Sequence, residues 1–387
     1  MTVTSASVAS VKENMAEMER LNEEAAHLHI WMRTRANSPL QQPWHVTDAV
    51  APPKVAPNAL PAGRRAVPFL WKWRDIEYYL TKVAELCSIE QTDRQQLQLL
   101  NPGFGGELRI ANSIRVAISI YKPGDTAPIH QHSPNASRTI LSESGGYSLV
   151  EGERCPAERG DLIFTPNGTW HGHGNDDAEP VIWMDVLDWP LLDFLGLIWI
   201  REDYAEAAKV PDVPAGFSRT FYGAGGISPT FEPFERGSGI NTSPYFQYRG
   251  VDILHTLAAM RDYPGDAHRG RGVEFVNPLT HAHPFPAFAY GAQLLRGGES
   301  TQSFRHTAST LFCVLGGSGY TEVNGQRFEW GRNDVFVVPN SLWYQHVNTS
   351  LTEDAVLYTV SDRPLVEMIG QYYAQGRTPD KTVIALR

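Results

Sequence analysis

Cysteine is scarce. The 387 residues contain three, Cys87, Cys155 and Cys313, none in a Cys-x-x-Cys spacing. This excludes a disulfide framework and a cysteine zinc site, and it fits a reducing compartment. A basic excess is missing too: Lys and Arg number 33 against 43 Asp and Glu, a formal net charge of -10. No nucleic-acid partner is therefore expected, since a phosphate-binding surface needs surplus cations. An acidic small molecule is not excluded, because a few buried arginines reverse the potential locally. Long apolar runs are also lacking. The longest, PLLDFLGLIWI from Pro190, is broken by Asp193 and is too short to cross a bilayer, so no membrane partner is expected. The N-terminal stretch has no basic start followed by an apolar core, so no signal peptide is expected and the expected location is cytoplasmic. What is present, 42% hydrophobic and 20% charged residues, is ordinary for a globular protein long enough for two domains or one duplicated domain.

Residues 11–33, rich in Glu, Ala, Met and Leu, predict a helix. Seven prolines between 36 and 68 predict an extended arm. RDIEYYLTKVAELC predicts a second helix with Ile76, Tyr79, Leu80 and Val83 on one face. From residue 109 the texture becomes β: LRIANSIRVAISIYKPG is rich in Ile and Val, and short runs punctuated by Gly, Pro and Asp follow. The pattern fades after Pro190, a helix is expected near GVDILHTLAAMRDY, and β texture returns from FAYGAQLL to AVLYTVSD.

The two β regions align. KPGDTAPIHQH matches RGGESTQSFRH, SGGYSLVEGER matches GSGYTEVNGQR, and GDLIFTPNGTWHGHGN matches NDVFVVPNSLWYQHVN. A repeat this long predicts a duplicated β-barrel. The expected division is a helical and Pro-rich arm over 1–100, a first barrel over 101–200, a linker with a helix over 201–284 and a second barrel over 285–387.

His130 and His132 sit two apart on a strand and so share a face. His171, in the later motif, adds a third imidazole from another strand. Three imidazoles converging inside a barrel make a divalent transition-metal site. HxH pairs are often incidental, and His27/His29 on a predicted helix reads that way, its rings about 200° apart. His281/His283 lies in a Pro-flanked loop.

The segments PG-x5-HQH and G-x5-PNGTWHGHGN resemble the two cupin motifs. The usual Glu ligand after HxH is missing: Ala136 and Ser137 stand there. The all-histidine pattern, with VPFLWKW upstream and PVIWMDVLDWPLL downstream, resembles the bicupin ring-cleaving dioxygenases of gentisate, salicylate and 1-hydroxy-2-naphthoate. The resemblance implies a mainly β fold of two double-stranded β-helix barrels. It also implies Fe(II) as cofactor, O2 and an aromatic ortho-hydroxycarboxylate as substrates, and cleavage between the carboxyl- and hydroxyl-bearing carbons. A homotetramer is implied as well. Three neutral ligands leave the full +2 charge on the metal for a chelating dianion, and one open face for two substrate oxygens and O2.

The resemblance also places substrate-carboxylate arginines on Arg138 and Arg94, and Arg suits this because its planar fork grips a carboxylate bidentately. Both positions read alternatively as salt-bridge residues. Arg138 aligns with Phe312, which points to an inward slot in both copies. His173 shares strand parity with His171 and is a candidate catalytic and substrate-binding residue; His346 at the matching place keeps a core-histidine reading open. Asp185 is a candidate for orienting a ligand or an arginine, and Arg115 for lining the pocket. Trp71, Trp73, Trp170, Trp183 and Trp189 read as core packing. In the second copy Phe304 and Tyr344 replace His130 and His171, so no metal is expected there. Two other classes share the barrel: a non-oxidative metal-dependent cupin isomerase or decarboxylase, and a non-enzymatic bicupin binding protein. The long N-terminal arm and the departure from the gentisate pattern around HQHSPNAS point to 1-hydroxy-2-naphthoate, with gentisate and salicylate as the alternatives.

Overall fold

The computed structural model describes residues 5–33, 65–89, 95–204, 211–223, 225, 227, 229–231, 233 and 242–386. A helix, Ser5–Ala25, opens the chain. It is shorter at its C-terminal end than the periodicity predicts. A single 3-10 turn, Ala26–Leu28, and a left-handed His29 (φ 56°) reverse the chain. Ile30–Met32 then becomes an edge strand paired with Gln96–Leu99. Strand pairing has overridden helix propensity there. The expected proline-rich arm lies mostly outside the described residues, as does Arg94. The helix Trp73–Leu86 buries Ile76, Tyr79, Leu80 and Val83, the face its spacing predicts. Of the β-rich stretch from 108, only Arg115–Tyr121 is a strand.

Two antiparallel barrels follow, each built of two facing sheets. In the first, Arg115–Tyr121, Val181–Leu187, Ala136–Ile140 and Leu162–Thr165 lie side by side. Thr126–His132, His171–Gly174, Ser144–Val150 and Glu153–Glu158 form the other wall. In the second barrel Ala289–Leu295, Ala355–Ser361, Thr310–Gly316 and Val335–Val338 repeat the first order. Phe304–His306, Tyr344–Asn348, Gly319–Val323 and Gln326–Trp330 repeat the second. The repeat holds at single-residue register: Asp185 faces Arg138 and Ala117, as Thr359 faces Phe312 and Gly291. Identical residues do identical work. Asn175 donates from Nδ2 to the Tyr121 carbonyl, and Asn348 from Nδ2 to the carbonyl of Leu295, its register equivalent.

The barrels exchange strands. Phe69–Trp71, which precedes the first barrel, pairs with Val335–Val338 of the second. Gln247–Tyr248, which precedes the second, pairs with Leu162–Thr165 of the first. A helix follows each exchanged strand and packs on its own barrel: Trp73–Leu86 on strands 96–99 and 115–121, Gly250–Ala259 on 271–275 and 289–295. The N-terminus of each helix is held by the aspartate that opens the acceptor strand. Asp334 accepts from the Trp73 amide (2.7 Å) and Asp161 from the Gly250 amide (2.8 Å). The duplication therefore extends upstream of the barrels, into WKWRDI and QYRGVDI. One continuous apolar core joins the two barrels through residues such as Trp71, Phe164, Phe285 and Tyr290.

Candidate metal centre

His130 and His132 end the strand Thr126–His132, and His171 starts the strand His171–Gly174. The two strands are antiparallel, and His171 is the register partner of His130. All three side chains therefore enter the barrel at one level. They are 1%, 3% and 0% exposed, and their ligating atoms lie within 4.8 Å of one another. Each Nδ1 faces a nearby backbone carbonyl: His130 that of Pro128 (3.0 Å), His132 that of Pro134 (2.8 Å) and His171 that of Thr169 (2.9 Å). A carbonyl only accepts, so Nδ1 carries the proton and Nε2 the lone pair. This tautomer, fixed by the second ring nitrogen, is the one a metal requires. Nε2 of His171 is buried and has no hydrogen-bond partner. Burial, reinforced by His130, His132 and then Arg138, keeps His171 neutral well below the usual imidazole range. A buried orphan lone pair beside two other imidazoles fits a divalent cation. Among the described residues this is the one cluster of three such side chains.

The turns that present the histidines are tied together. Asp188 accepts from the backbone amide and the side-chain amide of Asn135 (both 2.8 Å), and Asn135 Oδ1 accepts from the Asn167 amide (3.0 Å). The loop after His132 is thus fixed to the turn before His171. Burial pushes Asp188 up to about 6.

A cleft of about 40 Å³ opens beside His132. Arg138 lines it: Nε lies 3.2 Å from Asp185 and Nη1 donates to Thr165 Oγ1 at 3.0 Å. Asp185 is the hub, also accepting from Ser119 Oγ (2.5 Å), Trp183 Nε1 (3.2 Å) and Gln96 Nε2 (3.4 Å). Arg115 lines the same cleft, held by Gln98 Oε1 at 2.9 Å with its guanidinium 5.2 Å from the Trp189 ring centre. His173 lies 3.0 Å from Ser148 Oγ through Nδ1 and also borders the cleft. Trp183 is core, as read from sequence, at 1% exposed, and also borders the cleft; Trp189, read as core, forms part of its wall. Arg33 is a lining residue that the sequence reading missed. It follows a strand of three residues that periodicity absorbed into a helix. Three guanidiniums against the single carboxylate of Asp185 make the cleft attractive to an anion. In the second barrel Phe304 faces Tyr344 at the register where His130 faces His171.

Residues 117–187 and 292–361 each match the Cupin domain family. The chain is 33% identical to a 5-aminosalicylate 1,2-dioxygenase of Comamonas sp over 80% of its own length and 81% of the relative. It is 32% identical to gentisate 1,2 dioxygenase 1 of Aquipseudomonas alcaligenes (84% and 90% covered). It is 28% identical to a 1-hydroxy-2-naphthoate dioxygenase of Nocardioides sp. (91% and 88% covered). Its fold superposes on salicylate 1,2-dioxygenase from Pseudaminobacter salicylatoxidans with TM-score 0.74 at 27% identity, covering 82% of this chain and 90% of that one.

Proposed function

The chain belongs to the bicupin ring-cleaving 1,2-dioxygenases, and from that premise we propose that it opens a monocyclic aromatic acid bearing a hydroxyl ortho to its carboxylate. Cleavage falls between the carbons that carry those two groups, with iron(II) held by His130, His132 and His171. The observation that carries this reading is the joining of an all-imidazole triad to a cleft lined by three guanidiniums and one carboxylate. Iron under three neutral ligands keeps its full charge and supplies the centre at which a chelating hydroxy acid and O2 meet.

The protein's own residues do the rest. Arg138, locked by Asp185 and Thr165, offers its fork to the substrate carboxylate. Arg115 adds positive potential from the same sheet, two strands away from Arg138, and Arg94 is proposed as a further carboxylate-binding cation. His173, anchored on Ser148 and bordering the cleft, takes the phenolic proton as the hydroxy acid docks. Trp183 and Trp189 exclude water from the ring face. The higher identity to dioxygenases of 5-aminosalicylate and gentisate than to that of 1-hydroxy-2-naphthoate favours one ring over two. A homotetramer is proposed too; the exposed apolar run Phe194, Leu195 and Leu197 offers contact surface. No helix among the described residues is long and apolar enough to cross a membrane, and a cytoplasmic location is proposed.

Oxygen uptake by the iron-loaded enzyme tests the reading, with gentisate, salicylate, 5-aminosalicylate and 1-hydroxy-2-naphthoate side by side. A monocyclic acid is expected to give the highest kcat/KM. Preference for the naphthoate would overturn the choice of substrate, and no uptake with any of the four would overturn the reaction. His171→Ala is expected to lose bound iron by metal analysis together with activity, while the β circular-dichroism signal is retained.

A further inference from the structure

A cavity of about 320 Å³, larger than the first-barrel cleft, lies inside the second barrel. Strand register shows that it is the duplicate of the first-barrel cleft. Where that cleft is lined by Arg115, Arg138, Leu187 and Trp189, this cavity is lined by Ala289, Phe312, Ser361 and Arg363. Smaller side chains at Ala289 and Ser361 leave the space wider. The cavity opens to solvent past Asp266, Arg269 and Glu274, so a small molecule can reach it.

The lining is furnished rather than inert. Gln293 and His306 are 7% and 8% exposed, and Gln293 Nε2 and His306 Nδ1 have no hydrogen-bond partner among the described residues. Buried polar atoms of this kind are normally satisfied. Phe304, Phe312 and Tyr344 form aromatic walls, their ring centres 5.6–5.9 Å from the tyrosine ring. Two cations and two carboxylates also line the space. Arg363 is closed off by a two-pronged pair with Glu274 (2.7 and 2.9 Å). Arg269 is not: its Nε lies 3.8 Å from Asp266, whose Oδ1 already accepts from the amides of His268 and Arg269. Arg269 sits 5.7 Å from the Phe304 ring centre.

We propose that the second barrel is a metal-free binding site for a small aromatic carboxylic acid. The ring packs among Phe304, Phe312 and Tyr344, while the carboxylate accepts from Gln293 Nε2 and recruits Arg269. Planar walls select the ring, and one uncommitted amide donor beside one loosely held guanidinium selects the acid. His306, neutral, donates or accepts at a ring substituent. Chelation plays no part, so the second site takes acids that lack the ortho hydroxyl.

Calorimetric titration of the full-length iron enzyme with benzoate, which has no ortho hydroxyl, tests this without reference to turnover. Gln293→Leu removes the donor at nearly constant volume. Ser361→Leu narrows the cavity with the residue that the first barrel carries at the same register. Each is expected to weaken one benzoate site at least ten-fold, while Arg138→Leu leaves that site unchanged. Benzoate binding untouched by both second-barrel variants would overturn the proposal, as would the absence of any saturable site other than one that Arg138→Leu removes. Neither result bears on oxygen uptake by the first barrel, which fails or holds separately.

Discussion

Arg138 and Asp185 face each other across neighbouring strands with side chains 5% exposed, so each fixes the other inside the barrel. Arg138→Leu is expected to raise KM about 10- to 100-fold, the equivalent of a charge-assisted hydrogen bond of about 1.5–3 kcal/mol. Iron content is expected to stay at the wild-type level. Wild-type KM would remove Arg138 from carboxylate binding. A second residue-scale effect comes from the repeated turn. Gly168 in PNGTW and Ser341 in PNSLW stand at the same place, and both are left-handed, with φ of 70° and 67°. Only the serine pays the steric cost of a β-carbon there. Ser341→Gly is expected to raise stability by about 1 kcal/mol, read from the urea midpoint. At this scale the convergence of His130, His132 and His171 was legible because strand parity and motif spacing are local. The position of His173 was legible as well, but its role was not. Ser148 contacts His173 as Thr321 contacts His346 (3.0 and 2.7 Å), so the duplicated contact is also a feature of the fold.

Short elements were the least legible. The exchanged strands are three and two residues long, too brief for an alternation to register against the background. The 3-10 turn ending at Leu28 was invisible because its residues are good helix formers on both sides. The longer strands and the amphipathic helix Trp73–Leu86 carry enough periods to be read. What anchors each exchanged strand is one aspartate. Asp334 receives the Trp73 amide and the Lys72 ammonium (2.8 Å) and is 5% exposed. Asp334→Ala is expected to lower stability by about 2 kcal/mol in urea unfolding, with the first barrel's iron content unaltered. An unshifted midpoint would mean that strand pairing alone holds the arm.

For the whole molecule, the repeat in the sequence announced two barrels, while composition and charge bounded the partners. How the barrels hold each other depends on contacts between residues far apart in the chain, which no local pattern encodes. Stability against acid is likewise a property of the whole. Burial lowers His306 and His346 to about 3. Both are neutral when folded and become protonated on unfolding below the ordinary imidazole value near 6.5. The stability they permit is complete above that value and is lost as pH falls towards 3, by up to about 1.4 kcal/mol per pH unit for each ring. The urea midpoint is expected to drop between pH 7 and 5, and His346→Gln to flatten that slope. An unchanged slope would mean that carboxylates govern the acid limb.

The reciprocal strands have one more consequence. Each half of the chain lends one short strand to the other, Phe69–Trp71 or Gln247–Tyr248, and keeps the helix behind it. Apart from the first half's added helix Ser5–Ala25 and strand Ile30–Met32, the two halves match in plan a pair of single-barrel chains embracing by such strands. The molecule is thus a homodimer rewritten as one polypeptide. Within a single chain the two copies are free to differ, with Phe304 and Tyr344 in one where the other has His130 and His171, while their mutual embrace keeps both folded.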